Sequence, residues 1–504
     1  MANEKYTSWT KTCSRTVDQR DLRLPPTWSQ RESKPPRTPQ LGRYIHRTGR
    51  SRAVAQRLVE LMGTARWTIV VSSFLLADEE IETAMLQAAK RGVRVYVLLA
   101  SETRLGREEN DGEFEQRVLA THKATLNRLG GYVLFRSARH FHAKFVLVDP
   151  HQHPAGILLT ANLTSAALER NEELAVRLSA DEVREAARLA GWAMWETAEH
   201  EMTEAGRFRA VKPLERLSPP PAGTSIRATT SERNELSDEA LAVINSARCE
   251  LAIACYGWDR DHIVVKRLCA RVREGLRVTV LARVRGKPMP ALVELSKAGA
   301  TVLGFRWLHA KALWADSGRG LVMSANLEAD GLDRGFELGV TLEGPRAEEL
   351  HERLSTWASA AAWRLDNAPA LGDLAGDVKI WHRGQLLDEK IEAVEEVALG
   401  SFEAASTDSL EIPPPEVPSA GPLPRLAHEL ICKWEVRAPR LDTKAKEIKR
   451  PKVGEGPQTS YSPPLFKERG GRKVVGVSSK KELIAATALQ SEVGAAAIVV
   501  MGIK

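Results

Sequence analysis

Two stretches of the chain share the pattern His-x-Lys-x-x-x-x-Asp: His142, Lys144 and Asp149 in the first, His309, Lys311 and Asp316 in the second. Imidazole can attack an electrophile or move a proton near neutral pH, so a paired motif built on it is catalytic equipment. Each pattern is followed by an apolar run ending in asparagine, ILLTAN to Asn162 and LVMSAN to Asn326. A carboxylate then opens a third run, Glu173 in NEELAV and Glu337 in GFELGV. If the first stretch is a strand, alternation puts His142 and Lys144 on the face of Val146 and Val148, and Asp149 on the face of Phe145 and Leu147. The same arithmetic separates His309 and Lys311 from Asp316, so both aspartates are expected to brace the chain and not to touch a reacting group. A histidine and a lysine inside an apolar strand cost free energy unless they line a polar cleft. One such histidine is explained by a satisfied core side chain; two, with matched asparagines and glutamates downstream, are not.

Holding these groups requires a repeated scaffold. Val54, Leu58, Leu61 and Met62 have helical spacing, and WTIVVSSF (67–74) is the continuous apolar run of a doubly buried strand. Residues 79–90 read as helix, Gly92 breaks it, and VRVYVLL (93–99) is the next strand. The alternation predicts β-α-β units and a parallel or mixed sheet covered by helices. The pattern then recurs: TARWTIVVSSF against SARCELAIACY, RGVRVYVLLA against EGLRVTVLAR, LNRLGGYVLF against LSKAGATVLG, and FHAKFVLVD against LHAKALWAD. Four matched blocks in one order indicate an internal duplication. The first copy carries an extra polar stretch at 101–116, expected as a loop or helical turn that shapes substrate access.

The expected organisation is a basic, Pro-rich N-terminal extension over 1–48, a first lobe over 49–212, a Pro/Ser/Thr-rich linker over 213–231, and a second lobe over 232–365. A C-terminal extension over 366–504 would hold an acidic helical part around QLLDEKIEAVEEVAL, a Pro-rich linker, a basic stretch and a last helix over 480–497. A chain of 504 residues exceeds one core, and 72 Lys and Arg against 65 Asp and Glu suits a polyanionic partner. Cys13, Cys249, Cys255, Cys269 and Cys432 show no CxxC pair or Cys/His ligand spacing, so neither a disulfide framework nor a zinc site is indicated. The polar N-terminus has no signal-peptide pattern, and AAAIVV (495–500) is too short to span a bilayer. The expectation is a cytoplasmic protein with no transmembrane segment.

With both motifs intact inside a duplication, residues 50–365 resemble the phospholipase D superfamily in its form with two HKD motifs in one polypeptide. The resemblance implies an α/β fold of two tandem αβα-layered lobes related by pseudo-twofold symmetry, whose half-sites meet in one centre. It implies that one of His142 and His309 attacks phosphorus and becomes a phosphohistidine, while the other protonates the leaving oxygen and then activates water. Which does which stays open. Lys144, Lys311, Asn162 and Asn326 would hold the nonbridging oxygens, and Glu173 and Glu337 would each orient a histidine by accepting its second ring proton. Glu173, preferred over its neighbour Glu172 by aligning RNEELAV with RGFELGV, is expected on His142. No metal and no cofactor is needed, the lysine pair taking the metal's place. The family often has Gly-Ser before the asparagine dipeptide; Leu159-Thr160 and Met323-Ser324 stand there, which would narrow the pocket floor.

Among phosphodiesters, the basic extensions and the lack of secretion or membrane segments favour nucleic acid. So do Phe135, Arg136, Arg139, His140 and Phe141 before His142, and Phe305, Arg306 and Trp307 before His309: bases stack on such rings while arginine takes phosphate. Arg139, Phe141, Arg306 and Trp307 are the candidate substrate-binding residues, with packing the alternative role for Phe141 and Trp307. The expected function is a metal-independent nuclease acting on DNA or RNA. By analogy with cytoplasmic family members it would be the effector of a bacterial antiphage defence or restriction system, its extensions docking partner proteins of a multi-subunit complex. The alternatives are a cytoplasmic lipid hydrolase of the phospholipase D type and a nucleic-acid-binding subunit of a larger complex. One polypeptide supplies both half-sites, so the oligomeric state stays open.

Overall fold

A computed structural model describes residues 26–34, 39–101, 105, 113–211, 217–284 and 287–367, with short strands at 377–382, 385–386, 466–469, 472–475 and 498–501. The chain forms two compact units, one of Ser33–Arg283 and Pro290–Ala361, the other of Met1–Glu32, Val284–Met289 and Ala362–Lys504. Both HxK motifs lie in the first unit.

That unit holds the duplicated sheets. The first copy supplies β1 (Ile45–Arg47), β2 (Thr68–Ser73), β3 (Arg94–Ala100), β4 (Leu134–Ala138), β5 (Phe145–Val148), β6 (Ala155–Leu159), β7 (Leu174–Arg177), β8 (His200–Glu204) and β9 (Arg207–Ala210). The second supplies β10 (Ile226–Thr229), β11 (Glu250–Cys255), β12 (Arg277–Arg283), β13 (Thr301–Phe305), β14 (Ala312–Ala315), β15 (Arg319–Met323) and β16 (Glu337–Glu343). The strand orders are β1-β7-β6-β5-β2-β3-β4-β8-β9 and β10-β16-β15-β14-β11-β12-β13, so seven strands correspond position by position. In each sheet three strands run parallel (β2, β3, β4; β11, β12, β13), and the strand after the HxK pair joins antiparallel. The result is the mixed α/β sheet expected from the alternation.

Local chemistry explains the elements. Helix α1 (Ala53–Gly63) precedes β2, and α2 (Glu79–Lys90) carries the chain from β2 to β3. Asp78 caps α2 by accepting from Ile81 N–H, its first turn is acidic, its last residue is Lys90, and Gly92 leaves it with φ 90°. Helix α3 (Glu113–Leu129) includes the end of the first copy's extra stretch; most of that stretch lies outside the described residues. Two edge strands fall where no strand was expected, β1 within the N-terminal extension and β10 within the linker. IHR and IRAT are too short and too polar to show a period-two signal, and they form because β7 and β16 offer open edges.

One apolar cluster runs through both copies, from Phe141, Phe145 and Leu174 to Leu308, Ala310, Phe336 and Trp357. A second, including Val54, Ile69, Val97, Val146 and Leu159, fills the other face of the first sheet. Asp149 ends β5 with φ 43° and accepts backbone N–H bonds from Arg66, Trp67 and Thr68, each at 2.8 Å; Asp316 accepts from Arg248 and Cys249 at 2.7 Å. These carboxylates tie the end of each motif strand to the start of its central neighbour.

In the other unit, Thr27–Gln30 lies antiparallel to Trp363–Asp366 and parallel to Ile498–Met501, which pairs with Asp377–His382. Gln385–Leu386 continues this as a strand and does not open the helix expected over QLLDEKIEAVEEVAL, because its backbone pairs with Trp381 and His382. The rest of that stretch and the helix expected over 480–497 lie outside the described residues.

Two histidines outside the motifs make stability depend on pH. Burial pushes His46 and His122 down to about 4 from the ordinary 6.5. His122 Nδ1 lies 3.1 Å from Leu76 N and 3.0 Å from Leu76 O. Each stays neutral in the fold while its unfolded counterpart protonates. Their contribution is therefore full above about pH 6.5 and is lost as pH falls toward 4. Urea unfolding at pH 7 and pH 5 should differ by about 2 kcal/mol for each group. The pH 7-to-5 difference should shrink by that amount in His122→Gln, and a difference unchanged from wild type would contradict this.

Candidate active site

The backbone ahead of each motif strand crosses to the other copy. His142 and Ala143 donate N–H to Phe336 O at 3.1 and 2.8 Å, and Phe336 N–H donates to His140 O at 2.7 Å. His309 and Ala310 donate to Glu172 O at 3.0 and 2.9 Å, and Glu172 N–H donates to Trp307 O at 3.1 Å. Phe336 and Glu172 immediately precede Glu337 and Glu173, so each crossing carries a carboxylate of one copy to the imidazole of the other. His142 Nδ1 is bonded to Glu337 Oε1, and His309 Nδ1 to Glu173 Oε1 at 2.6 Å.

Two expectations are corrected here. Glu173 serves His309 and not His142, because the backbone bonds that fix the imidazoles run between copies. The motif strands begin at Phe145 and Ala312, after the lysines, so period-two alternation does not reach His142, Lys144, His309 or Lys311. The N–H groups of the two histidines go to the other copy instead of to a ladder neighbour.

The lysines are fully buried. Lys144 Nζ donates to His142 O at 2.5 Å and lies 3.1 Å from His142 Nδ1; Lys311 Nζ donates to His309 O at 2.6 Å and to Thr160 O at 3.4 Å. The remaining oxygen of each glutamate is held by a hydroxyl, Thr160 Oγ1 on Glu173 Oε2 at 2.6 Å and Ser324 Oγ on Glu337 Oε2. This holding role was missed in the sequence, although its signal was there: a hydroxyl residue two positions before each asparagine. Leu159 and Met323, beside those hydroxyls, are fully buried, and Leu159 belongs to the first lobe's outer core. Both side chains fill core and do not narrow a pocket floor.

Electrostatics follow from this packing. Burial lowers His142, with Glu337 opposing and Lys144 and Lys311 assisting; burial lowers His309 to about 3, with Glu173 opposing and Lys311 and Lys144 assisting. Each histidine thus feels the lysine of both copies, which puts the two half-sites in one electrostatic centre. Burial pushes the Glu173 and Glu337 carboxyls up, but the facing histidine, the nearby lysine and the hydroxyl together hold both below the ordinary value. Each imidazole, lowered by burial, thus faces a carboxylate that is also held low, with both buried lysines beside them. A bound phosphodiester adds one negative charge, which favours a proton on one imidazole. The Nδ1 positions are taken by glutamate, leaving Nε2 as the reactive nitrogen of each ring.

Asn162 and Asn326 follow β6 and β15, and their Oδ1 atoms are enclosed with no hydrogen-bond partner among the described residues. Phe74 meets His142 edge-on with ring centroids 5.0 Å apart, and Tyr256 tilts against His309 at 4.5 Å. Of the four candidate substrate-binding residues, Phe141 is not placed for that role. Phe141 is buried in the shared core, edge-to-face with Phe336 at 5.7 Å, and exposed Arg139 gives its backbone N–H and Nε to Glu199, each at 3.1 Å. Arg306 and Trp307 are half-buried beside the His309 half, with the Arg306 guanidinium 5.1 Å from the indole centroid. Among the described residues no three His, Cys, Asp or Glu side chains are grouped to hold a metal ion, and no helix is long and apolar enough to cross a membrane.

Residues 58–195 match the family model described as "Cardiolipin synthase, PLD-like domain". No curated protein matches the chain. Among solved structures it is similar to phosphatidylserine synthase of Haemophilus influenzae Rd KW20, at 14% identity and TM-score 0.46 over 68% of this chain and 90% of that one. It is also similar to polyphosphate kinase from Porphyromonas gingivalis, at 16% identity and TM-score 0.39 over 61% of this chain and 48% of that one. Nuc, a phospholipase D family member from Salmonella typhimurium, is 20% identical with TM-score 0.25 over 28% of this chain and 98% of its own.

Proposed function

We propose that the chain is a phosphodiesterase of the phospholipase D superfamily, and within it a nuclease working through a phosphohistidine without a metal ion. The observation that carries the chemistry is the crossed pair of His–Glu units flanked by two buried lysines. One Nε2 attacks phosphorus while the other imidazole, protonated when the phosphodiester binds, gives its proton to the departing oxygen. That second imidazole, now neutral, takes a proton from water, and the hydroxide displaces the first histidine from phosphorus. The products are a phosphomonoester and an alcohol, and both rings are restored. Lys144, Lys311, Asn162 and Asn326 act on the nonbridging oxygens, with the lysines supplying the charge stabilisation a metal would give. Asp149 and Asp316 hold the motif strands and stay outside the chemistry.

Nucleic acid as substrate is supported by the basic N-terminal extension and by the basic stretch over 433–481 within the C-terminal one. The extensions are also the surfaces for partner proteins in the defence reading, which rests on family analogy and is tested by plaque counts with and without the intact gene. The test of the activity is incubation in EDTA with labelled single- and double-stranded DNA, RNA and phosphatidylcholine vesicles. Cleavage of a nucleic acid in EDTA is the expected result. Activity abolished by EDTA would overturn the metal-free mechanism, and lipid cleavage without nucleic-acid cleavage would overturn the substrate.

A further inference from the structure

Away from the imidazoles, the first copy presents one indole with its inner face fixed. Helix α4 (Ala180–Trp192) runs into a π-helical turn over Ala193–Thr197, and Trp195 in that turn is 51% exposed. Beneath the ring lies buried Arg136, its guanidinium 4.3 Å from the indole centroid. Arg136 donates to Met194 O at 3.1 Å and to Glu201 Oε2 at 2.7 Å, so its charge is paired and its plane is held. With one face covered by this group, an exposure of about one half puts the other face of Trp195 in solvent. A π-helical turn is rare, and this one is fastened by side chains, Arg136 on Met194 O and Thr197 Oγ1 on Ala193 O at 2.9 Å.

The duplication shows that the repeated core does not require this stack. Counted without a gap from Glu173 and Glu337, Trp195 falls on Ser359, inside a helix (Pro345–Ala360) that ends without a π-turn. Leu98 and Leu281 match in the repeated blocks; Arg136 is the sheet partner of the first and Leu303 that of the second. The turn is tied instead to the run that leads into His142. His140 Nε2 lies 3.1 Å from Thr197 Oγ1, Arg139 gives its backbone N–H and Nε to Glu199, and Glu199 N–H donates to Ser137 O at 2.8 Å. Across the sheet, Arg136 on β4 stands opposite Glu201 on β8, which stands opposite exposed Arg209 on β9.

We propose that Trp195 is a platform for a nucleobase, on which a single-stranded nucleic acid stacks a base while its scissile phosphate lies at the centre. This rests on the nuclease reading above. Stacking on an aromatic face is open to any base, and a face already held flat loses little freedom when the base arrives. The cation–π contact with Arg136 does that holding, and because Arg136 is paired with Glu201 the platform needs no phosphate of its own. The neighbouring arginines are exposed and ion-paired, Arg139 with Glu199 at 3.1 Å and Arg209 with Glu204 at 3.6 Å. Such surface pairs exchange at little cost, so either guanidinium can turn to a passing phosphate. A charged surround of this kind suits a polyanionic strand better than it suits the water-excluding ring around the anchor of a protein interface. Bases in a duplex are already stacked on each other, so the platform selects single strands.

The test compares two single-stranded substrates of equal length and charge, a pyrimidine oligonucleotide (DNA or RNA, whichever is cut) and the same chain without bases. In Trp195→Leu, kcat/KM for the oligonucleotide should fall about tenfold relative to that for the abasic chain, through KM. The salt dependence should stay the same, since no charge is lost. Trp195→Tyr keeps a ring and should retain most of the ratio. Trp67→Leu removes another exposed indole of the first copy, at the start of β2, and should leave the ratio unmoved. Equal losses on both substrates in Trp195→Leu, or a ratio that moves as far in Trp67→Leu, would overturn the platform. A wild-type protein that cuts the oligonucleotide, with a ratio unchanged in Trp195→Leu, would overturn the platform alone and leave the indole to a protein partner. A wild-type protein that cuts only duplexes would also overturn the platform and leave the nuclease reading standing. Hydrolysis of bis(p-nitrophenyl) phosphate with no cleavage of any nucleic acid would overturn both.

Discussion

Alanine at His142, alanine at His309 and alanine at both should leave three proteins with nearly the same residual activity, each about ten-thousandfold or more below wild type. The reason is the single centre. Loss of one imidazole removes either the nucleophile or the group that protonates the leaving oxygen, and neither step proceeds without the other. Once one is gone, the second removal has almost nothing left to take, so the effects are strongly non-additive. Two independent half-sites would behave differently: each single variant would keep about half the activity and only the double variant would be inactive. The measurement is kcat on bis(p-nitrophenyl) phosphate, which reports the chemistry whatever the natural substrate. Thermal unfolding of each variant separates loss of chemistry from loss of fold. Both histidines are partly exposed at the centre, with side chains 28% and 16% accessible, so truncation leaves little sealed cavity and the fold should persist.

Much of this centre was legible in the sequence because the duplication repeats each feature with its flanks. The blocks TARWTIVVSSF and SARCELAIACY become β2 and β11, the central strands of their sheets, and FVLV and ALWA become the neighbours that follow the lysines. The candidate catalytic types stood out because histidine and lysine abutting apolar runs demand an explanation. The pairing of Glu173 with His309 did not stand out, since local text is nearly the same in both copies and cannot say which copy's carboxylate reaches which ring. That choice is made by the backbone bonds of Glu172 and Phe336, about 140 to 200 residues away along the chain from their partners. The stack of Trp195 on Arg136 was half visible. Arg136 adjoins a motif, whereas Trp195 and its π-turn reach it only through the fold. Phe141, one residue before His142, looked exposed to substrate by proximity, but its ring packs into the shared core.

Glu173→Gln should act as a His309 variant and leave His142 nearly untouched, lowering kcat about 10²- to 10⁴-fold. Glutamine keeps the size of the side chain but removes the charge that holds the His309 ring and favours its protonated state. It can also turn its amide nitrogen toward Nδ1, which forces the other tautomer and moves the proton to Nε2, the atom needed for attack or proton transfer. Lys311 loses a nearby carboxylate while remaining fully buried, so the variant should be less stable, by about 3 kcal/mol if the ammonium stays charged. Activity should therefore be compared well below the melting temperature. The decisive readout is ¹⁵N-histidine NMR, with each imidazole assigned by the spectrum that lacks it. In Glu173→Gln the His309 ring nitrogens should shift and change tautomer while His142 keeps its signals; in Glu337→Gln the pattern should invert. A Glu173→Gln spectrum in which His142 moves and His309 stays would mean that each copy orients its own histidine, and the crossed arrangement would be wrong. Thr160→Val gives a graded check, because it removes the hydroxyl on Glu173 Oε2 and leaves the carboxylate in place. Its kcat should fall far less than that of Glu173→Gln, with the same His309 resonances shifting in the same direction.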